Sequence, residues 1–235
     1  MSEHWYTADG KPCHTQPTKR GAKNAERPTN ITDAKKLKLL PSVSSIIKMA
    51  HNPALERWKQ SQIVKACYEC PPSGDETLRD YEGYVLRMAD KERNESAELG
   101  TRIHAGIEQY YTNDEASIDD DIKSYVFAAI DAVGSLHVKP YRHEIVVTCP
   151  AHGYAGTTDM IWSRPNGEVG ILDFKSCKTH PDEPILIKQS HAAQIAAYQK
   201  AYWYPAEFKD NSMGYNIYIS TTEPGRVEVV KHDAA

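Results

Sequence analysis

The chain has 235 residues, 40% of them hydrophobic, with 14 Tyr and 4 Trp, which suits one domain or a compact core with a helical extension. No apolar run approaches the roughly 20 residues of a membrane span, and the N-terminus lacks a signal-peptide pattern, so we expect a cytoplasmic protein with no membrane partner. The formal net charge of -4 and the pI near 6.2 do not indicate a uniformly basic nucleic-acid binder.

The distribution of charge is more informative than its total. Residues 11–40 hold eight Lys or Arg against Glu26 and Asp33, and polar residues 16–30 lack periodicity. We predict that residues 1–40 form a basic arm, which could follow a phosphate backbone or become ordered on a partner or on the domain surface. Residues 114–121 hold five carboxylates and no base, which is typical of a solvated loop.

The five cysteines are an odd number in a chain that looks intracellular, so a disulfide scaffold is not expected. Cys67 and Cys70 have a spacing found in structural metal sites, but free thiols are the simpler interpretation.

Residues 41–138 are predicted to be helical and residues 139–235 to form a sheet core. Ser42 is placed to cap a helix that begins at Val43, and Asn52 restarts a helix at Pro53. Further helices are predicted over residues 75–90, 96–111 and 122–136 from the spacing of their apolar side chains. Three aromatic residues in this part are either core residues or surfaces on which unpaired bases stack: Trp58, Tyr68 and Tyr81.

His104 and Glu108 lie one turn apart on the predicted helix over residues 96–111 and so share a face. A histidine at such a position is either an ordinary satisfied side chain or a metal ligand. The spacing alone leaves both interpretations open.

The sheet is predicted to begin with a strand over residues 142–149, followed by a hairpin of strands 154–162 and 168–175. Pro165, Asn166 and Gly167 carry the turn chemistry between the two hairpin strands. A tight loop centred on Asn166 makes the numbers of facing residues sum to about 332, which places Asp159 opposite or diagonal to Asp173. Alternation puts Lys175 on the same face as Asp173.

The Cβ atoms of facing residues on two strands lie about 5 Å apart, and two carboxylates held there repel each other unless a cation neutralises them. A divalent cation such as Mg²⁺ accepts one or two carboxylates, and a neighbouring lysine can hold a water or offset phosphate charge. The alternative is a solvated hairpin face on which the lysine pairs with one aspartate. Glu144, on the preceding strand, either reaches water at such a site or pairs with a neighbouring cation.

Beyond Lys175, Ser176 and Lys178 supply a hydroxyl and a positive charge where a phosphate could lie. A helix is predicted over residues 186–202, with Gln194 and Tyr198 on one side, and a closing hairpin over residues 213–220 and 226–231. The predicted fold is therefore α+β, with helices around a mixed central sheet.

Several segments together resemble the PD-(D/E)XK nuclease superfamily. The catalytic signature is similar to Gly156-Thr157-Thr158-Asp159 followed by Ile171-Leu172-Asp173-Phe174-Lys175. Gly100-Thr101-Arg102-Ile103-His104 and Gln194-Ile195-Ala196-Ala197-Tyr198 resemble the two additional motifs of the RecB-like exonuclease branch. The segment around Ser42 is similar to one that precedes the core in mitochondrial genome maintenance exonucleases and phage nucleases. The resemblance covers about residues 41–219.

This resemblance implies a restriction-endonuclease-like αβββαβ core and a Mg²⁺- or Mn²⁺-dependent DNA exonuclease acting in phage or bacterial recombination, replication or repair. It implies metal ligation by His104, Asp159, Asp173 and the main-chain carbonyl of Phe174, with Lys175 as a further catalytic residue. Glu144 is added as a candidate catalytic residue from its place on the preceding strand. It implies DNA contacts by Gln194 and Tyr198. Ser176, Lys178 and Ser42 are further expected DNA contacts. The iron–sulfur cluster of some relatives is not expected, because no cysteine follows Cys177.

DNA ends are the expected substrate, and a recombination or replication protein is a further expected partner. A structure- or sequence-specific endonuclease of the same superfamily is the nearest alternative. A non-catalytic nucleic-acid-binding module that uses the same groove is an alternative of a different class.

Overall fold

A computed structural model of the chain describes residues 4–18, 25–50, 52–112, 117–206 and 213–232. Spatial contacts divide the chain into two compact units, one of residues 1–49 and 103–235 and the other of residues 50–102. The predicted boundary after residue 40 therefore falls inside the first unit. The predicted acidic loop lies partly outside the described residues, because residues 113–116 are not among them.

The N-terminal segment forms short strands and helices that belong to the first unit. In chain order they are β1 (Trp5–Tyr6), β2 (Thr15–Pro17), β3 (Glu26–Pro28), α1 (Ile31–Leu37), β4 (Leu40–Pro41) and α2 (Val43–Lys48). β1 pairs with β4 and β2 pairs with β3, both antiparallel. The side chains of Trp5 and Tyr6 are buried, so the described residues around them are packed on the domain and do not extend away from it. Apolar burial holds this segment on the protein.

The second unit contains α3 (Pro53–Glu69) and most of α4 (Leu78–Thr112), whose last turns from Ile103 onward belong to the first unit. Asn52 caps α3 as predicted, accepting a hydrogen bond from the Leu55 main-chain N–H at 3.1 Å. The two helices predicted over residues 75–90 and 96–111 are one helix of 35 residues. No Gly or Pro interrupts its polar middle, so the polarity marks a solvated face and not a break.

The prediction that aromatic residues of this unit form its core is only partly confirmed. Tyr81 packs with Met88 against a small core of Ala66, Val85 and Ala89. Tyr68 is 88% exposed and Trp58 is 38% exposed, so neither is a core residue.

The first unit is built on a five-stranded mixed sheet with helices, which confirms the α+β class and the predicted order of elements. Its elements are α5 (Lys123–Ser135), β5 (Lys139–Cys149), β6 (Tyr154–Ser163), β7 (Val169–Cys177), α6 (Gln189–Trp203), β8 (Gly214–Ser220) and β9 (Val227–His232). The strands lie in the order β5-β6-β7-β8-β9, and only the β7–β8 pair is parallel. A short 3-10 turn at Pro150–His152 joins β5 to β6.

The β6–β7 hairpin has the predicted register. Met160 pairs with Leu172 and Ser163 with Val169, so the paired residue numbers sum to 332. The turn is closed by a hydrogen bond from the Arg164 main-chain N–H to the Glu168 carbonyl at 2.9 Å, and Gly167 adopts φ +85°, a conformation that glycine adopts easily. Local turn chemistry therefore sets which side chains of the two strands face each other.

Helix α6 packs closely on one face of the sheet over a core of Ile161, Ile171 and Ile195. A Cβ atom added to Gly156 in β6 would lie 2.6 Å from the Tyr198 ring, so only glycine permits this approach. Gly106 brings α4 close to α5, because an added Cβ would lie 2.9 Å from Val126. The small residue allows one helix to pack on another.

Within the described ranges, no helix combines the length and apolar character needed to cross a membrane.

Candidate active site

The register of the hairpin carries Asp159 to the position opposite Asp173, one step beyond the last ladder pair of Met160 with Leu172. The side chain of Asp173 is 3% exposed and that of Asp159 is 19% exposed. Two carboxyl groups are thus brought together at a buried point in the middle of the sheet, as predicted from the turn.

Asp159 is held by the backbone of the neighbouring strand. Its Oδ2 accepts a hydrogen bond from the main-chain N–H of Phe174 at 2.7 Å. Burial raises the pKa of Asp159, against the lowering effects of Lys175 and of this hydrogen bond. The hydrogen bond from the Phe174 N–H holds the Asp159 carboxylate against β7.

Asp173 is surrounded by donors. Its Oδ2 forms an ion pair with Lys175 Nζ and accepts a hydrogen bond from Asn216 Nδ2 at 3.1 Å. Burial, and then the nearby Asp159 charge, raise the pKa of Asp173 to about 6, although Lys175 opposes the shift. Lys175 is thus a neutralising charge for both carboxylates.

His104 reaches the same point from α4. Its Nδ1 lies 3.8 Å from Asp159 Oδ2, and its ring meets the Phe174 ring edge-on with centroids 6.3 Å apart. Burial lowers the pKa of His104, so the imidazole is neutral near pH 7 and retains the lone pair that a metal ligand requires.

A small, partly open cavity lies beside Asp159. It is lined by His104, Ile107, Glu108, His143, Glu144, Asp159 and Phe174. Four titratable side chains therefore accompany Asp159 around one space, which is a recurrent arrangement at functional sites.

Glu144 lies opposite Asp159 in a local break of the β5–β6 ladder. His143 pairs with Met160 and Ile145 with Thr158, while Glu144 has φ +47° and no ladder partner. This left-handed conformation is uncommon for a residue with a Cβ. Partial burial, together with the nearby Asp159 charge, raises the pKa of Glu144 to about 7.

Gln194 and Tyr198 are brought together by α6, with Gln194 Nε2 donating to the Tyr198 hydroxyl at 2.8 Å. Tyr198 is only 4% exposed and packs on Gly156, and burial raises its pKa. Its ring therefore supports the backbone of β6 and is not available as a stacking surface. Gln194 is partly exposed.

The other predicted DNA-contacting residues differ in accessibility. Ser42 is 3% exposed and its hydroxyl accepts from the Ser45 main-chain N–H at 3.0 Å, so it is a helix cap and a DNA contact does not fit. Ser176 is partly exposed at the end of β7, and Lys178 is exposed just beyond it.

Three residues around the site were not predicted from the sequence. The Tyr6 hydroxyl lies 3.0 Å from Thr157 Oγ1, two residues before Asp159. Asn216 contacts Asp173, and its Oδ1 lies 2.8 Å from His232 Nε2. Asn216 is an amide among the mostly apolar residues of β8, and this contrast could have indicated a role for it. No local sequence pattern indicates a role for Tyr6 or His232.

The donor set suits a hard divalent cation, since it combines two carboxylates with raised pKa values and a neutral imidazole. Within the described parts of the chain, no three His, Cys, Asp or Glu side chains already form a metal-ligand cluster. Asp173 is instead paired with Lys175, so in this state the lysine supplies the compensating charge.

No protein-family model matches the chain, and no curated protein matches it significantly. A solved structure described as "Crystal structure of SSO0001" covers 78% of this chain and 78% of its own, with 13% identity and a TM-score of 0.32. This likeness is too remote to bear on the chemistry of the site.

Proposed function

We propose that this protein is a metal-dependent deoxyribonuclease that hydrolyses phosphodiester bonds from DNA ends. The observation that carries the proposal is the convergence of side chains from α4, β6 and β7 at one buried point: His104, Asp159, Asp173 and Lys175. A solvated hairpin face does not account for this convergence. The two carboxyl groups are buried, and a negative charge on one makes ionisation of the other less favourable.

Asp159, Asp173, His104 and the Phe174 carbonyl are the proposed ligands of Mg²⁺ or Mn²⁺. The bound ion supplies Lewis-acid polarisation of a phosphate oxygen and a lowered pKa for water. A dication held by Asp159 and Asp173 would favour the ionisation of both carboxylates, which would account for burying two acids beside one lysine.

Lys175 and Glu144 are the proposed proton-handling residues. Lys175 Nζ holds the attacking water, and it offsets negative charge on the phosphate. The Glu144 carboxyl lies at the cavity and has a pKa of about 7, so it can accept a proton near neutral pH.

Recognition of the DNA is assigned to accessible side chains at the end of β7, just after it and on α6. Gln194, Ser176 and Lys178 are partly or fully exposed and present amide, hydroxyl and ammonium groups suited to phosphate oxygens. The preference for DNA ends, and a role in phage or bacterial recombination, replication or repair alongside a partner protein, come from the motif resemblance.

The direct test compares linear DNA with covalently closed circular DNA, each incubated with Mg²⁺, Mn²⁺ or EDTA. We expect nucleotides to be released from the linear DNA with either metal, no release in EDTA, and an intact circle. Asp173→Asn should abolish release, whereas Asp131→Asn, a change of an exposed aspartate on α5, should not.

The alternatives give different results in the same assay. Cutting of the closed circle would indicate an endonuclease. Retention of DNA without hydrolysis under every metal condition would indicate a binding module and would contradict the proposal.

A further inference from the structure

A buried polar chain runs from Asp173 across the next two strands of the sheet. Asn216 in β8 is the ladder partner of Asp173 and is fully buried. Its Nδ2 lies 3.1 Å from Asp173 Oδ2 and 3.2 Å from the Asp173 main-chain oxygen. Its Oδ1 lies 2.8 Å from Nε2 of His232 in β9.

The directions of these hydrogen bonds follow from the chemistry of the partners. A main-chain carbonyl and an ionised carboxylate only accept, so the NH₂ group of Asn216 must face Asp173. The amide oxygen then faces His232, which must carry its proton on Nε2. All three contacts are satisfied together only when His232 donates to Asn216 and Asn216 donates to Asp173.

Packing alone does not explain an asparagine at this position. The neighbouring residues of β8 are buried and largely apolar, and a buried amide is tolerated only because its hydrogen bonds are made. An apolar residue of similar volume would avoid that requirement. The position of Asn216 instead gives the Asp173 carboxylate a donor that is independent of Lys175.

The hydrogen bond from Asn216 becomes important when Lys175 takes part in the reaction. Asp173 Oδ2 contacts both Lys175 and Asn216, and a lysine that turns toward water or phosphate leaves the carboxylate. Asn216 then remains to hold the carboxylate orientation, and His232 holds Asn216.

We propose that Asn216 and His232 are positioning residues that hold the Asp173 carboxylate in the orientation with which it binds the divalent cation. The inference rests on the proposed function, because it assumes that Asp173 is a metal ligand. Hydrogen-bonded supports of metal ligands commonly contribute about 10- to 100-fold in affinity or activity.

The test is calorimetric titration of the full chain with Mn²⁺ alone, without DNA. His232→Ala should weaken Mn²⁺ binding about 2- to 10-fold, the loss expected for one hydrogen bond. His232→Gln should restore binding, since its amide places an N–H donor near the position of Nε2. Asn216→Leu should weaken binding about 10- to 100-fold, with circular dichroism confirming the fold.

His180→Ala, a change of an exposed histidine, is the matched control and should bind Mn²⁺ as the unmodified chain does. A ¹⁵N-detected histidine spectrum gives a second readout that does not depend on metal. It should show His232 as the Nε2–H tautomer.

The outcomes separate this inference from the proposed function. Normal Mn²⁺ affinity in His232→Ala and in folded Asn216→Leu, or an Nδ1–H tautomer at His232, overturns the inference while leaving the nuclease proposal intact. Weakened affinity in these variants, in a chain that hydrolyses no DNA, supports the inference and contradicts the nuclease proposal. Absence of Mn²⁺ binding by the unmodified chain overturns both.

Discussion

At the scale of single residues, the site is defined by two carboxylic acids that are difficult to ionise together. Asp173 is almost fully buried, and its pKa is raised to about 6 by burial and by Asp159. An acid whose pKa is higher in the folded state than in the unfolded state stabilises the fold at low pH. That contribution is lost as the pH rises through the folded-state pKa.

The pH dependence of stability therefore has a defined sign at Asp173. In chelator, Asp173→Asn should gain stability relative to the unmodified chain, by about 1 to 3 kcal/mol, as the pH rises from about 4 to about 7. Both proteins contain the same histidines, so the contribution of histidine titration cancels in the difference between their stabilities. Thermal melts of both across this range provide the measurement, and a difference independent of pH would contradict the burial of a titrating carboxyl.

Lys175 and Lys178 should affect different kinetic parameters. Lys175→Met removes the ammonium at the reacting groups, so kcat should fall about 10²- to 10⁴-fold with little change in KM. Lys178→Met removes an exposed charge that is proposed to contact DNA, so KM should rise several-fold, most clearly at low salt, with kcat preserved. Steady-state rates on an end-labelled duplex separate the two, and a normal kcat in Lys175→Met would remove Lys175 from the chemistry.

At the scale of elements, the close approach of α6 to β6 depends on one glycine. Gly156→Ala places a Cβ at 2.6 Å from the Tyr198 ring, so helix or ring must shift, and unfolding free energy should fall by about 1 to 3 kcal/mol. Gly134→Ala is the matched control, because an added Cβ in α5 meets no atom within 4 Å and alanine favours a helix. Denaturant melts of both variants check this, and equal stability would show that α6 does not lie tightly on the sheet.

The elements themselves were largely predictable where the signals are local. The β6–β7 register follows from turn chemistry at Gly167 and from alternation, and both are contained in a short stretch of chain. The continuity of α4 was missed because its polar middle was interpreted as a break. The contact of Tyr6 with Thr157 joins residues 151 positions apart, and no local pattern reveals such a contact.

The N-terminal segment shows the same limit. A charge excess over residues 11–40 suggested an arm, but burial of Trp5 and Tyr6 outweighs the polarity of the residues that follow. The predicted roles of His104, Asp159, Asp173 and Lys175 remain predictions, although the structure brings these residues together.

At the scale of the whole molecule, the N-terminal residues are part of the first unit, since β1 pairs with β4 immediately before α2. Tyr6→Phe keeps the buried ring but removes the hydroxyl that contacts Thr157, so unfolding free energy should fall by about 1 kcal/mol. Deletion of residues 1–14 should destabilise the unit far more. Thermal melts of the two variants decide this, and an unchanged melting temperature after the deletion would restore the arm interpretation.

The most direct test of the central claim is single-turnover release of labelled nucleotide from the end of a linear DNA strand, with Mn²⁺ or EDTA, by the unmodified chain and by Asp159→Asn. We expect release that requires Mn²⁺ and is lost in Asp159→Asn, while DNA binding is retained. Release that persists in EDTA, or that Asp159→Asn performs at the normal rate, would contradict the assignment of this site as a metal-dependent nuclease centre.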